Sequence, residues 1–293
     1  MSLYLSKKVM RNDSLRRAFN TLAVKTFGLS FEDWYQKGYW SEFNTPYTIF
    51  DGDRAVANVS VNQLKILCQG KVYNGIQLGT VMTDEAYRNQ GLSRHIMEQV
   101  KEDWEKRYDF IFLFANESVL DFYPKFGFER KEQYQFETKA VPSPGLCRKL
   151  NMDSLHDRQM LAHYYKKTNP FSEIQVIDNY GLLMFYCCSF MKDWVYYSPE
   201  YDAVVIAEQD HNSLRCYDVY CDKRDERNDL PGLLSSMAKA GTKRIELEFT
   251  PYDVGCFDRS LRGGDADSLF VLSEGRETIL DGGKHLFPSI SHT

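Results

Sequence analysis

The chain has 293 residues, 43% hydrophobic, 14% aromatic and 26% charged, with a net charge of -5. At about 150 residues per domain that length predicts two domains, with a core that needs no disulfide staples. The composition excludes a chain that fails to collapse. The longest apolar stretch, residues 181–191, falls short of the roughly 20 residues that span a membrane, and reads as a buried helix or strand.

Charge is unevenly placed. Residues 1–140 hold 19 Lys and Arg against 18 Asp and Glu, and residues 141–293 hold 17 against 23. Neither half reads as a nucleic-acid surface. The opening Met-Ser-Leu-Tyr-Leu-Ser-Lys-Lys has no long apolar run behind its charges, so no secretory signal is expected. The seven cysteines are scattered and form no Cys-x-x-Cys pair, which predicts reduced thiols in a cytoplasmic protein and no metal centre.

In chain order, Asp13-Ser14-Leu15 opens a helical pattern with Phe19, Leu22 and Ala23 on one face. An aromatic-rich segment follows: Phe27, Phe31, Trp34, Tyr35, Tyr39, Trp40, Phe43 and Tyr47. It reads equally as a small core or as a pocket wall. Residues 75–81 read as a strand, and residues 92–106 as an amphipathic helix through Leu92, Ile96, Met97, Val100 and Trp104. The run at 109–114 reads as a strand buried on both faces, and a further strand is expected over 126–137.

The order then repeats. Asp153-Ser154-Leu155 opens a second helix, and Asp or Ser is a natural cap at both helix starts. Leu233, Leu234 and Met237 mark a helix before an alternating strand at 244–249, and a last strand is expected over 267–273. Val141-Pro-Ser-Pro-Gly145 cannot continue an element and reads as the link. The expectation is a duplicated α/β plan, residues 1–140 and residues 146–293.

Between the strand at 75–81 and the helix at 92 lies Val81-Met-Thr-Asp-Glu-Ala-Tyr-Arg-Asn-Gln-Gly-Leu-Ser-Arg94. A turn entering a helix N-terminus presents unpaired N–H groups and the positive end of the dipole, which suits phosphate. Gly91 permits close approach, Ser93 is small, and Arg88 and Arg94 add charge. A glycine before a helix is also an ordinary cap. The Rossmann and P-loop patterns are not met.

These residues resemble the GNAT superfamily of acetyltransferases. Val81-Met82-Thr83, Tyr87-Arg88 and Arg88-x-x-Gly91-x-Ser93 follow its first motif. Asn116-Glu-Ser-Val-Leu-Asp-Phe-Tyr-Pro-Lys-Phe-Gly-Phe128 is similar to its second. Ser93 stands where the family has Gly or Ala, and Glu85 where proline is common. The resemblance implies a GNAT fold, a mixed central sheet flanked by helices, followed by a second, degenerate GNAT-like α/β domain. The tandem plan looks like that of the Eis-type and mycothiol-synthase-type acyltransferases.

It also implies roles. Val81, Met82 and Thr83 would hold the pantetheine arm of acetyl-coenzyme A. The amides of Asn89, Gln90, Gly91, Leu92, Ser93 and Arg94, with Arg88, would cradle the pyrophosphate. Asn116 would contact the cofactor, and Tyr123 would protonate the departing thiolate. Plainer roles stand beside these: Asn116 as a cap, Tyr123 as a core aromatic, both arginines as solvated charges. The general base is not readable. Glu117, Asp84 and Glu85 lie near the motif, a water relay leaves no trace, and in some relatives the chain's own terminal carboxylate, here that of Thr293, enters the site.

The acceptor is expected in the aromatic segment, where Glu32, Asp33 and Glu42 could attract an amine. The second half's counterpart of the phosphate turn, residues 221–232, is crowded with acids, so one cofactor site is expected. The sequence thus predicts an N-acetyltransferase acting on a primary amine of a small molecule or peptide, without nucleic-acid or membrane partners. The alternatives are a non-catalytic acyl-coenzyme A sensor and an acyltransferase with another donor, aminoacyl-tRNA included; the near-neutral first half argues against tRNA. Oligomeric state is left open.

Overall fold

The computed structural model describes residues 3–104, 107–143, 145–222, 229–263, 267–273 and 275–292. Strand β1 (Leu3–Ser6) is followed by helices α1 (Asp13–Phe27) and α2 (Glu32–Gln36). A meander of β2 (Asn44–Asp51), β3 (Arg54–Cys68) and β4 (Lys71–Thr83) leads to helix α3 (Leu92–Trp104). Strands β5 (Phe110–Ala115), β6 (Glu129–Lys131) and β7 (Tyr134–Lys139) complete the first half.

The second half runs β8 (Arg148–Lys149), α4 (Leu155–Tyr165), β9 (Ile174–Ile177), α5 (Tyr180–Cys187), β10 (Val195–Ser198), β11 (Ala203–Gln209) and β12 (Ser213–Tyr220). Helix α6 (Leu230–Met237) and strands β13 (Arg244–Leu247), β14 (Asp258–Leu261) and β15 (Ser268–Leu272) follow. The order of elements repeats between the halves, as their patterns predict.

Local chemistry fixes the helices. Asn12, rather than Asp13, caps α1: its Oδ1 accepts from the amides of Ser14 (3.0 Å) and Leu15 (3.1 Å). Ser154 holds the cap position of α4 without a side-chain bond. In α3 the buried side chains are Leu92, Ile96, Met97 and Val100, one stripe at helical spacing. The apolar stretch at 181–191 begins inside α5. A side chain on Gly181 would put its Cβ 2.3 Å from the Tyr39 carbonyl, so glycine alone allows this approach between the halves.

The two sheets exchange strands. The first runs β1-β2-β3-β4-β5-β15-β6, with β9 paired to β3; the second runs β14-β7-β13-β12-β11-β10-β8. Strand β15 lies antiparallel between β5 and β6, with Phe270 opposite both Leu113 and Arg130. Strand β7 lies in the matching place between β13 and β14, with Phe136 opposite Leu247 and Arg259. Each sheet is therefore completed by the last strand of the other stretch of sequence.

Strand β5 is buried on both faces, as its unbroken apolar run requires. Ile111, Leu113 and Ala115 join the cluster under α3. Phe110 and Phe112 face a second cluster to which the other half contributes Ile174, Leu182 and Phe287.

Candidate active site

Parallel pairing of β4 with β5 covers only Gly75–Leu78 against Phe110–Leu113. Beyond it the strands part. On β4 one extra residue is accommodated between Gly79 and Met82 opposite β3, and Thr80 takes a left-handed φ of 47°. The edge of β4 from Gly79 to Thr83 that faces β5 therefore has no strand partner, and the Thr80 carbonyl accepts from the Asn58 side chain at 2.9 Å. Val81 packs toward α3 and Met82 into the cluster around α1.

Thr83 ends the strand and is tied to the start of α3: its hydroxyl and that of Ser93 lie 2.7 Å apart. Between them the chain turns through Asn89 (φ 63°) and Gly91 (φ 76°). The Gly91 carbonyl accepts the first bond of α3, from His95 at 2.9 Å. Among the described residues the amides of Asn89, Gln90, Gly91, Leu92, Ser93 and Arg94 donate to no protein acceptor. Six free amides at a helix start form an anion cradle. Arg88 rests 3.6 Å from Glu85, both exposed, and Arg94 lies 5.6 Å over the Phe126 ring.

Asn116 follows β5 and takes the plainer role offered by sequence: its Oδ1 accepts from the Ser118 amide (3.1 Å) and hydroxyl (2.5 Å). Tyr123 is 4% exposed. Its ring is held edge-on by Phe122 (5.2 Å) and Phe128 (6.1 Å) and tilted against Phe270 (5.8 Å). Burial, and then the negative Asp267, push its hydroxyl up to about 12. Asp84 is fully engaged: it accepts from the Ala86 amide (3.1 Å), Lys25 (3.0 Å) and Arg54 (3.4 Å). The amide and then Lys25 hold its pKa below the usual carboxylate range. Glu117 and Glu85 are exposed. Thr293 lies outside the described residues.

The aromatic segment proves to be both core and wall. Trp34 and Trp40 stack at 5.4 Å, and Phe31 stacks at 5.4 Å on Phe185 from α5. Phe31, Trp34 and Phe185 border a cavity of about 300 Å³ that extends to Thr80 on the bulge, to Leu182 on α5, and to His292. None of the expected acids reaches it. Glu32 is bound to Arg16 (3.0 Å) and Asn20 (3.1 Å). Hydrogen bonds from Gln36 and Arg16 lower its pKa. Asp33 and Glu42 are exposed.

His292 carried no weight in the sequence, yet its ring stacks on Phe114 of β5 at 3.5 Å. Its Nε2 is sealed from solvent with no hydrogen-bond partner. The Tyr186 hydroxyl donates to its carbonyl. Only its residue type could have suggested it, and one histidine among polar neighbours says little.

The second half repeats the geometry and then fills it. Strands β12 and β13 pair in parallel over Ser213–Cys216 and Arg244–Leu247 and then part, and β12 carries an extra residue between Cys216 and Asp218. Residues 286–291 occupy this opening. Ser289 donates its amide to the Glu248 carbonyl (3.0 Å), and the Leu286 amide donates to the Thr250 hydroxyl (2.7 Å). At the start of α6 the Asp229 carboxylate already accepts from the Gly232 amide. Residues 223–228 of the acidic turn lie outside the described residues.

A splayed parallel pair thus lies beside a helix start with six free amides. Residues 11–130 match the family model described as "Acetyltransferase (GNAT) domain". That part of the chain is thus similar to a GNAT acetyltransferase domain. No curated protein matches the chain.

Solved structures share the fold across both halves. A probable N-acyltransferase of unknown function from Enterococcus faecalis V583 is 12% identical, with TM-score 0.60, over 92% of this chain and 72% of its own. A GCN5-related N-acetyltransferase from Kribbella flavida is 14% identical, TM-score 0.60, over 92% and 70%. Eis1 from Mycobacterium abscessus is 15% identical, TM-score 0.58, over 92% and 73%.

Proposed function

We propose that the protein moves an acetyl group from acetyl-coenzyme A to a primary amine of a small molecule or peptide, by direct attack at the opening between β4 and β5. The observation that carries this is the pairing of an unpartnered strand edge at Gly79–Thr83 with the free amides of Asn89–Arg94. The first suits an amide-bearing arm and the second a pyrophosphate, which is the layout of a coenzyme A thioester.

On this reading Val81, Met82 and Thr83 hold the arm. Arg88 and Arg94 swing from the surface to the phosphates, and Asn116 keeps its amide nitrogen for the ligand. As the N–C bond forms, the C–S bond breaks with its electron pair going to sulfur. Tyr123 gives sulfur a proton, and the hydrogen lost by nitrogen restores the balance. A hydroxyl pushed up to about 12 is protonated at neutral pH and so carries the proton that the thiolate needs.

Two further features fit the reading. All seven cysteines are free, as suits the reducing cytoplasm in which we place the protein. No described helix is long and apolar enough to cross a membrane.

Thiol release from acetyl-coenzyme A, followed over a panel of amines with products weighed by mass spectrometry, tests the reading. Amine-dependent release with an acetylated product is expected. Cofactor binding without release under any amine would leave a sensor.

A further inference from the structure

The cavity beside the bulge has a chemical character that the aromatic sequence did not reveal. Its deep wall is Phe31, Trp34 and Phe185, three rings of the stacked pairs already described, together with the aliphatic Leu182 from α5. Its mouth is rimmed by Phe27 and Phe190, which are 49% and 54% exposed. Large rings left in water at a cavity mouth mark a surface that a ligand covers.

The lining carries few polar groups, and the Tyr186 hydroxyl among them is engaged by the His292 carbonyl. Asn44 and Asn62 bond to each other, and Asn62 also donates to the Gln77 carbonyl at 3.2 Å. That leaves Thr80, on the bulge where the cleft opens, and His292, stacked on Phe114 of the opposite strand. Among the described residues no carboxylate, lysine or arginine lines the cavity.

We infer that this cavity holds the acceptor, and that the acceptor is a mono-amine on an aromatic or bulky apolar body, entering uncharged with its nitrogen at Thr80 and His292. The inference rests on the function proposed above. A polycation would bring ammonium groups into an apolar space whose described lining offers no counter-charge, and desolvating them is costly. An amino acid would bring a carboxylate that meets no basic side chain. A free amine on a flat ring meets stacked aromatics along its body.

His292 suits the nitrogen end. Burial, and then the positive Arg262, push its imidazole down to about 3, so the ring is neutral and keeps an acceptor nitrogen. A neutral imidazole in the lining does not repel the amine.

The test compares kcat/KM for phenethylamine and tryptamine with that for spermidine and lysine, acetyl-coenzyme A being saturating. The aromatic amines should lead by about tenfold or more, the scale on which an apolar pocket discriminates. Phe190→Glu, placed at the exposed rim, should narrow that ratio by favouring spermidine. His292→Ala should raise KM for phenethylamine while the thermal shift given by acetyl-coenzyme A stays, and His292→Asn should recover part of the loss.

Spermidine or lysine outrunning both aromatic amines, with thiol release intact, would overturn the inference and leave the proposed function standing. So would a ratio unmoved by Phe190→Glu, or a KM for phenethylamine indifferent to His292→Ala. No release with either aromatic amine, while another amine of the wider panel gives release, would overturn the inference and leave the functional reading standing; no release under any amine would bring down both.

Discussion

The rings of Tyr123 and Phe270 lie 5.8 Å apart, one from the motif after β5 and the other from the strand that the second half lends to the first sheet. The proposed acid is thus braced by a residue from the far end of the sequence. Tyr123→Phe removes the hydroxyl and keeps that packing. Single-turnover rates should fall by about 10²–10⁴, the range for a lost general acid. The acetyl-coenzyme A thermal shift should persist. Unchanged single-turnover chemistry would return Tyr123 to the core.

Phe270→Ala probes the brace itself. Phe270 is 2% exposed, so truncation should cost about 3–5 kcal/mol. Because β15 and β7 interlock the sheets, calorimetry should show one unfolding transition, lowered as a whole. Two transitions, only one of them moved, would mean that the halves unfold separately.

Acetyl-coenzyme A should raise the melting temperature, since it binds the folded state alone. Gly91 sits at φ 76°, and a Cβ there would meet nothing within 4 Å, so conformation and not space restricts the position. Gly91→Asn, tolerant of that region, should keep most of the shift. Gly91→Glu should abolish it by setting a carboxylate against the pyrophosphate. A full shift in the glutamate variant would put the cofactor elsewhere.

Titration calorimetry with acetyl-coenzyme A should give one equivalent per chain. The opening between β12 and β13 is filled by residues 286–291, and the start of α6 already holds the Asp229 carboxylate. Two equivalents would show that this segment yields to a ligand.

Asp218 supplies a pH test. It accepts from Asn169 (2.6 Å), Tyr220 (2.7 Å) and its neighbour's amide (2.9 Å), yet burial pushes its carboxyl up to about 6. A raised folded pKa means that protonation favours the folded state. This contribution is complete below the unfolded value near 4 and is lost as pH rises through 6. A shift from 3.8 to about 6 is worth about 3 kcal/mol. The stability of wild type relative to Asp218→Asn should therefore fall between pH 4 and pH 7. A flat difference would mean that Asp218 titrates normally.

Much of the plan was legible because it is local. The stripe Leu92, Ile96, Met97 and Val100 and the run at 110–114 give their elements directly from spacing. The turn at Asn89–Arg94 could be placed because a strand end, a glycine and a helix start are neighbours in sequence. What escaped was non-local. Residues 126–137 and 267–273 each read as one strand, but the first is divided into β6 and β7, which join different sheets, and nothing in the spacing says which sheet each joins. The bulge at Thr80 has no residue type that demands it. Glu32 looked available until Arg16, a helix away, was seen to hold it. His292 gains meaning only from Phe114.

The exchange of β7 and β15 also sets an order in time. Strand β5 is made long before β15, and the place beside it must stay open until the second half has been synthesised. A chain still on the ribosome therefore carries β7 before its sheet exists and a first sheet whose gap beside β5 waits for β15. Closing both requires pairings between residues far apart in sequence, which are slow to form. Phe270 arrives beside Tyr123 only with that strand. A product cut short near residue 260 would keep both motifs and leave Tyr123 without that ring against it.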